Sequence, residues 1–329
     1  MRLPIEIKGV GVYLPPTIVE NHAMEARHKL AEGTIYADLG IKQRRIAVNE
    51  NVIEMGAAAL QNALDHAGYV FEDLDLLINA SVSIAYILPN TAILIQKQLG
   101  KAQSGVPCMD VNQSCLSWLA ALDMAAALIA VGKYRRVAIV SSEKPSPFLN
   151  PDNFETAALF GDVAAAVIIE KSERADCGIF KSQFATYSDG WNLSWMPAGG
   201  QINSPLKEGI PRTDYMFQMQ NRRLLLYTIK KTKDFLISFF KSEDVMPLAA
   251  IKHIVPHQTS RAGLDFLTAT YQLEGRVIRI LEDFGNCVAA SIPLALCLGI
   301  QSGRIQKGDS VLLIGTAAGI SIGAVLLKI

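Results

Sequence analysis

No block of like charge occurs in this 329-residue sequence, and its 31 Lys and Arg balance its 31 Asp and Glu. The electrostatic footprint of a nucleic-acid or membrane-surface binder is therefore missing, and a small neutral or carrier-delivered substrate fits better. Long apolar runs are missing too. The longest, Cys115 to Val131, is interrupted by Ser117 and Asp123 and falls short of the roughly 20 residues of a spanning helix, so it reads as a buried core helix. The first ten residues place Glu6 and Lys8 inside a strand-like alternation, without the apolar segment or cleavage site of an export signal. Cysteine is scarce. The five, at 108, 115, 177, 287 and 297, are scattered and odd in number, which argues against a disulfide framework and for a reduced cytoplasm. The five histidines do not cluster with them at ligand spacing, so neither a metal nor another cofactor is expected.

What is present is core: half of the residues are hydrophobic, enough for two domains or two packed halves. Strand-like runs alternate with helical stretches, which predicts βαβ units. Strands are expected at Leu74–Ser83, Pro107–Val111, Arg136–Ser141, Ile251–Val255, Val277–Leu281, Ser310–Gly315 and Ile320–Leu327. Helices are expected near 90–99, 115–131 and 215–240, after His257, and at 287–301. The halves can be superposed: Cys115 precedes Gly132 by the same number of residues as Asn286 precedes Gly303, and both intervals are Ala/Leu-rich and lead through a basic turn into an apolar strand. This register implies an internal duplication, residues 1–171 and 172–329, with Cys115 and Asn286 at equivalent helix starts that a pseudo-twofold axis would bring together. Loops are expected at 145–156 and 187–212.

Cys115 stands where a strand ends and the long helix begins, in Asp110-Val111-Asn112-Gln113-Ser114-Cys115. First-turn amides and the helix dipole would lower its pKa and make it a nucleophile; the competing reading is a small buried hydrophobe. The other four cysteines lie inside strand or helix runs and read as structural. His257, in Pro256-His257-Gln258, follows a strand and could exchange protons with a group on the thiol, whereas His253 reads as a satisfied polar residue. Asn286 in Gly285-Asn286 reads either as a helix cap or as an amide donor to an enolate or oxyanion. Gly315, Gly319 and Gly323 allow close backbone approach, where an amide could complete an oxyanion hole.

Taken in order, the strand-then-Cys helix, Pro-His-Gln, Gly-Asn before an Ala-rich helix, Phe160-Gly161-Asp162 and the glycines of the carboxyl end resemble ketoacyl-ACP synthase III of the thiolase superfamily, over almost the whole chain. The resemblance implies a five-layered αβαβα fold in two duplicated halves, a homodimer, and a ping-pong reaction. In it Cys115 is acylated from acyl-CoA or acyl-ACP. A malonyl-CoA or malonyl-ACP then loses CO2, its enolate held by His257 and Asn286, with the amides of Cys115 and Gly319 as oxyanion hole. Leu88, before Pro89, stands where the family sends a side chain across the dimer interface to close the partner's acyl pocket. The family's carrier-gripping Trp and Arg are replaced by Thr34 and Asp38, which weakens the expectation of coenzyme A stacking. Trp118 and Leu88 imply an altered acyl pocket, and with it specialised, for example polyketide, rather than housekeeping fatty-acid synthesis. Arg44, Arg45 and Arg261 are candidates for carrier or phosphate contact, against a reading as solvated charge.

Cys, His and Asn in this order also suit a papain-like protease, but Cys115 lacks the Cys-Gly-x-Cys-Trp context. A thiolase would carry a second cysteine near the carboxyl end, and residues 315–323 have none. An acyltransferase to an alcohol or amine on the same fold, and a non-catalytic partner subunit, remain as alternatives.

Overall fold

The computed structural model describes residues 2–241 and 245–329. The first half runs β1 (Ile5–Tyr13), β2 (Thr17–Glu20), α1 (Asn21–His28), α2 (Thr34–Leu39), β3 (Gln43–Ile46), α3 (Val52–Ala67) and β4 (Leu76–Asn79). It continues through α4 (Thr91–Gln98), β5 (Cys108–Asp110), α5 (Ser117–Ala130), β6 (Arg136–Glu143), α6 (Phe154–Ala157) and β7 (Val163–Lys171). The second half contains β8 (Gly178–Thr186), β9 (Ser194–Trp195), β10 (Gln218–Met219), α7 (Asn221–Phe239), β11 (His253–Pro256) and α8 (Arg261–Thr270). It ends with α9 (Leu281–Phe284), α10 (Ser291–Gln301), β12 (Ser310–Ala317) and β13 (Ser321–Lys328).

Two sheets have the same plan. The first has the order β1-β7-β6-β4-β5; the second has β8-β13-β12-β11, extended by a parallel bridge from Ile254 to Val277. In both, the pairs at one end of the order are antiparallel (β1-β7-β6 and β8-β13-β12) and those at the other end parallel (β6-β4-β5 and β12-β11). The apolar run of β7 shows why alternation is absent from its sequence: Val163, Ala165, Val167 and Ile169 face a central core, and Ala164, Ala166 and Ile168 face an outer one. The central core also takes α5, α10 and the inner faces of β12 and β13. The outer core of the first sheet is covered by α3 and α4, and that of the second by α7 and α8. Helix, sheet, helix pair, sheet, helix: five layers result. Helix α3 is bounded as its sequence dictates, by a capping box of Asn51 with Glu54 and by Gly68 in the left-handed region.

Three expectations change. Val277–Leu281 is not a strand: it makes the single bridge to Ile254, and Leu281 already opens α9. The long helix begins at Asn221 because Arg212–Tyr215 forms a 3-10 turn and Gln218–Met219 pairs with Ser194–Trp195. Cys287 stands outside α10, whose start is preceded by a 3-10 turn over Val288–Ala290.

Where β7 ends and β6 begins, a polar cluster closes one end of the first sheet's strands. Burial pushes the Glu170 carboxyl up, but Arg136 at 2.8 Å, the Tyr69 hydroxyl at 2.6 Å and Arg135 at 3.2 Å outweigh it and hold its pKa at about 2, below the ordinary 4.5. A carboxyl depressed in this way stabilises the fold above pH 4.5, and that contribution disappears as pH falls toward 2. Glu170→Gln is expected to lower unfolding free energy at pH 7 by on the order of 1–3 kcal/mol and by clearly less at pH 3, measured by urea titration.

Candidate active site

The same strained turn starts both central helices. Ser114 and Val288 adopt φ of 50° and 49°, unusual for residues other than glycine. Each is held by an Asn two residues earlier: Ser114 N–H donates to Asn112 Oδ1 and Val288 N–H to Asn286 Oδ1, both at 2.9 Å. A serine hydroxyl completes each turn, Ser117 Oγ accepting from Gln113 N–H and Ser291 Oγ from Cys287 N–H. Asn286 is therefore the counterpart of Asn112, and Cys115 that of Ala289. The sequence register is displaced because the glycines that set it close helices of unequal length, 14 residues in α5 and 11 in α10.

Cys115 lies just before α5, packed between the central core and a smaller cluster containing Ile41, Leu149, Phe160 and Leu281. Backbone amides of Ala318 and of Cys115 itself face the sulfur. They do not produce a depressed pKa. Burial first, and then the charge of Glu143, push the thiol up to about 12, which corrects the expected thiolate to a neutral thiol. Gly319, next after Ala318, has φ of +119°.

His257 follows β11 and is 4% exposed, its N–H donating to Ile314 O at 2.8 Å. Its Nδ1 is buried with no partner among the described residues, and burial lowers its pKa to about 4. A cleft between α7 and α8, lined by Leu225, Thr228, Ile229 and Phe266, reaches it. Gly315 lets the two halves close here, since a Cβ would stand 2.9 Å from both His257 Cβ and Leu116 Cδ2. Gln258 was not singled out from sequence, yet its fully buried amide bonds Pro256 O, Ile278 O and the N–H groups of Ile280 and Leu281. It fixes the His257 turn to residues 278–281, which is why that segment has no ladder of its own.

Asn286 is 7% exposed. Its backbone pairs with the Phe160–Gly161 segment, accepting from Gly161 N–H at 3.2 Å and donating to Leu159 O at 2.8 Å. Its side-chain oxygen is engaged by Val288, so the NH2 group is left as the free edge, with one long contact of 3.5 Å to Thr259 O beyond His257. Asp162 anchors the neighbouring loops through Ala47 N–H and Ser146. Burial raises its pKa.

Glu143, the last residue of β6, also escaped sequence reasoning. It is fully buried, and its carboxylate accepts from Val82 N–H (2.7 Å), Ser83 N–H (2.9 Å), Ser83 Oγ (2.7 Å) and the N–H of Ala289. Burial nevertheless raises its pKa to about 7.

The remaining candidates fall elsewhere. Arg44 is 1% exposed and bonds Val19 O, Asn21 Oδ1 and Ala158 O, so it joins elements inside the fold and offers nothing to a carrier. Arg45 donates to Pro15 O, and Arg261 caps α2 through Tyr36 O and Ala37 O while packing over Gly40. Trp118 is enclosed in the central core, its indole N–H without a partner among the described residues. Leu88 is 84% exposed, in a segment where Ile84, Tyr86 and Ile87 are also exposed, and it does not enclose Cys115 of its own chain.

A duplicated αβαβα fold with a cysteine at one central helix start and His and Asn on loops of the other half defines a thiolase-like enzyme. Residues 109–188 match the family model for 3-oxoacyl-[acyl-carrier-protein (ACP)] synthase III, and residues 243–329 match that for its C-terminal part. The chain is 30% identical over 323 residues to the beta-ketoacyl-[acyl-carrier-protein] synthase III of Clostridium perfringens, with 98% of each chain covered. It is 34% identical over 328 residues to that of Neisseria meningitidis serogroup A, again with 98% of each covered. The 3-oxoacyl-[acyl-carrier-protein] synthase III of Aquifex aeolicus superposes with a TM-score of 0.88 at 29% identity, covering 99% of this chain and 100% of that one. The priming β-ketosynthase of the R1128 polyketide pathway gives 0.89 at 26% identity, covering 99% and 97%. The chain belongs to the 3-oxoacyl-ACP synthase III family and is a condensing acyltransferase. The protease reading is thereby removed.

Proposed function

We propose that the protein loads an acyl group from an acyl-CoA or acyl-ACP onto Cys115 and condenses it, with loss of CO2, with a malonyl-CoA or malonyl-ACP. The observation that carries this reading is the orientation of Asn286, whose side-chain oxygen is held by Val288 so that its NH2 edge stays available as a donor. A donor there serves an enolate; simple acyl transfer does not need one.

In the first half-reaction the neutral thiol loses its proton as sulfur attacks the thioester carbonyl, with neutral His257 as the acceptor. The amides of Cys115 and Gly319 stabilise the tetrahedral oxyanion, and the carrier thiolate leaves and takes up the proton. In the second, the malonyl thioester gives up CO2. His257 and Asn286 donate to the enolate oxygen, the enolate carbon attacks the acyl carbonyl, and Cys115 leaves as thiolate and is reprotonated. No metal or redox group is needed. The exposed apolar segment 84–88 suits a homodimer in which Leu88 closes the partner's acyl pocket. Trp118 would bound the acyl chain from the core side, and five free cysteines suit a reducing cytoplasm. The structural likeness to a polyketide priming synthase supports a specialised pathway.

Intact-mass spectrometry against a panel of acyl-CoA and acyl-ACP thioesters tests the reading. The expected result is an acyl adduct that Cys115→Ala abolishes and that a malonyl thioester discharges with CO2 release. Discharge by alcohols or amines alone would replace condensation with acyl transfer, and no adduct from any donor would favour a non-catalytic subunit.

A further inference from the structure

Glu143 is an unusual choice for the end of a core strand. Its carboxylate is fully buried and is paired with no cation among the described residues; the adjacent Lys144 points its Nζ to Glu50 O instead. A buried charge without a counter-ion is costly, and only an acceptor-only group with several donors suits such a place. Four donors converge on it, from two directions. Val82 and Ser83 belong to the segment that leads to the exposed Leu88, and Ala289 follows the strained Val288 whose N–H holds Asn286. Its charge is felt by Cys115 and by Cys287, the latter also facing Asp162.

We infer that Glu143 is a positioning residue for condensation: its carboxylate ties the segment leading to Leu88 and the turn that carries Asn286 to the end of β6, beside Cys115. The inference rests on the function proposed above, but concerns a residue that touches no reacting atom. Its chemistry makes a specific demand. A glutamine of the same shape has one oxygen for four donors, and its NH2 would oppose at least one backbone N–H. Glutamine should therefore release one of the two segments, and at the same time remove the negative charge near the thiol.

The test compares wild type, Glu143→Gln, Glu143→Asp and Ser83→Ala, reading acyl loading, malonyl-dependent condensation, and the pH midpoint of Cys115 alkylation by iodoacetamide. Glu143→Gln is expected to keep loading within about threefold, lose condensation by about tenfold or more, and move the alkylation midpoint to lower pH. Loosening that hydrates the thiol would lower the midpoint as well, so Ser83→Ala, which frees the same segment and keeps the charge, is the control whose midpoint should stay at the wild-type value. Glu143→Asp should keep the wild-type midpoint and recover part of the condensation, and Ser83→Ala should lose a few-fold in condensation alone. Wild-type condensation with an unmoved midpoint in Glu143→Gln would overturn the inference. If Glu143→Gln does not fold, wild-type condensation in both Glu143→Asp and Ser83→Ala would overturn it equally. An acyl adduct that survives Cys115→Ala would instead overturn the reading of the nucleophile, whatever Glu143 does.

Discussion

Asn286→Ala is expected to load acyl groups onto Cys115 within a few-fold of wild type while condensing about 10²–10³ times more slowly, the usual effect of deleting one oxyanion donor. The two half-reactions ask different things of the site. In the proposed reaction, loading needs the sulfur, a proton acceptor and amides on a tetrahedral oxygen, roles assigned to the Cys115 turn, His257 and the Ala318–Gly319 segment. Only the decarboxylation generates an enolate that needs a side-chain donor, and among the described residues the NH2 of Asn286 has no partner besides a 3.5 Å contact to Thr259 O. The variant also loses the 2.9 Å bond that holds Val288 N–H, which costs about 1 kcal/mol by analogy with helix caps. That shifts melting by a few degrees at most in a chain of this size. Single-turnover loading followed by intact mass, beside steady-state CO2 release, separates the two. Equal loss in both half-reactions would mean that Asn286 acts only as the cap.

The sequence made the layers legible because burial leaves a mark on composition. A strand covered on both faces reads as an unbroken apolar run, as β7 does, and core helices between two sheets read as Ala/Leu-rich stretches without a polar face, as α5 and α10 do. Cys115, His257 and Asn286 could be singled out as candidates because each stands in a turn at a strand exit or just before a helix. Glu143 was not, since its donors come from about 60 residues upstream and from the other half, and no local pattern records such convergence. Charge read alone misled at Arg44, which joins β2, α1 and Ala158 rather than facing solvent. It misled at Cys115 too: the helix start supplies amides, but the enclosure that makes the site dry outweighs them. The repeat was detected, yet three residues out, because glycines mark where helices end and the strained Asn-headed turns mark where they begin.

Gly161→Ala is expected to be among the most damaging small substitutions in the chain. A Cβ on residue 161 would overlap the carbonyl oxygen of Phe284 and come within 3.4 Å of Arg44 Cβ, so it meets backbone that cannot rotate away. On the opposing strand Gly285, at φ of +67°, already stands where a Cβ would be 2.6 Å from Leu159 O. The two segments approach closely only because each lacks a side chain, and their approach makes the bonds Gly161 N–H to Asn286 O and Asn286 N–H to Leu159 O. Forcing them apart breaks both bonds in a buried place, at a cost on the order of 2–4 kcal/mol. Melting should fall by about 3–6 °C. Because Asn286 rides on the displaced segment, the surviving folded protein should also condense more slowly while still loading Cys115. Gly200→Ala is the matched control, since no described residue lies within 4 Å of a Cβ built there and its backbone is not in the left-handed region. Thermal melts and the two half-reactions on both variants decide the matter: if Gly161→Ala melts with Gly200→Ala and condenses normally, the close packing of the two loops does not set the position of Asn286.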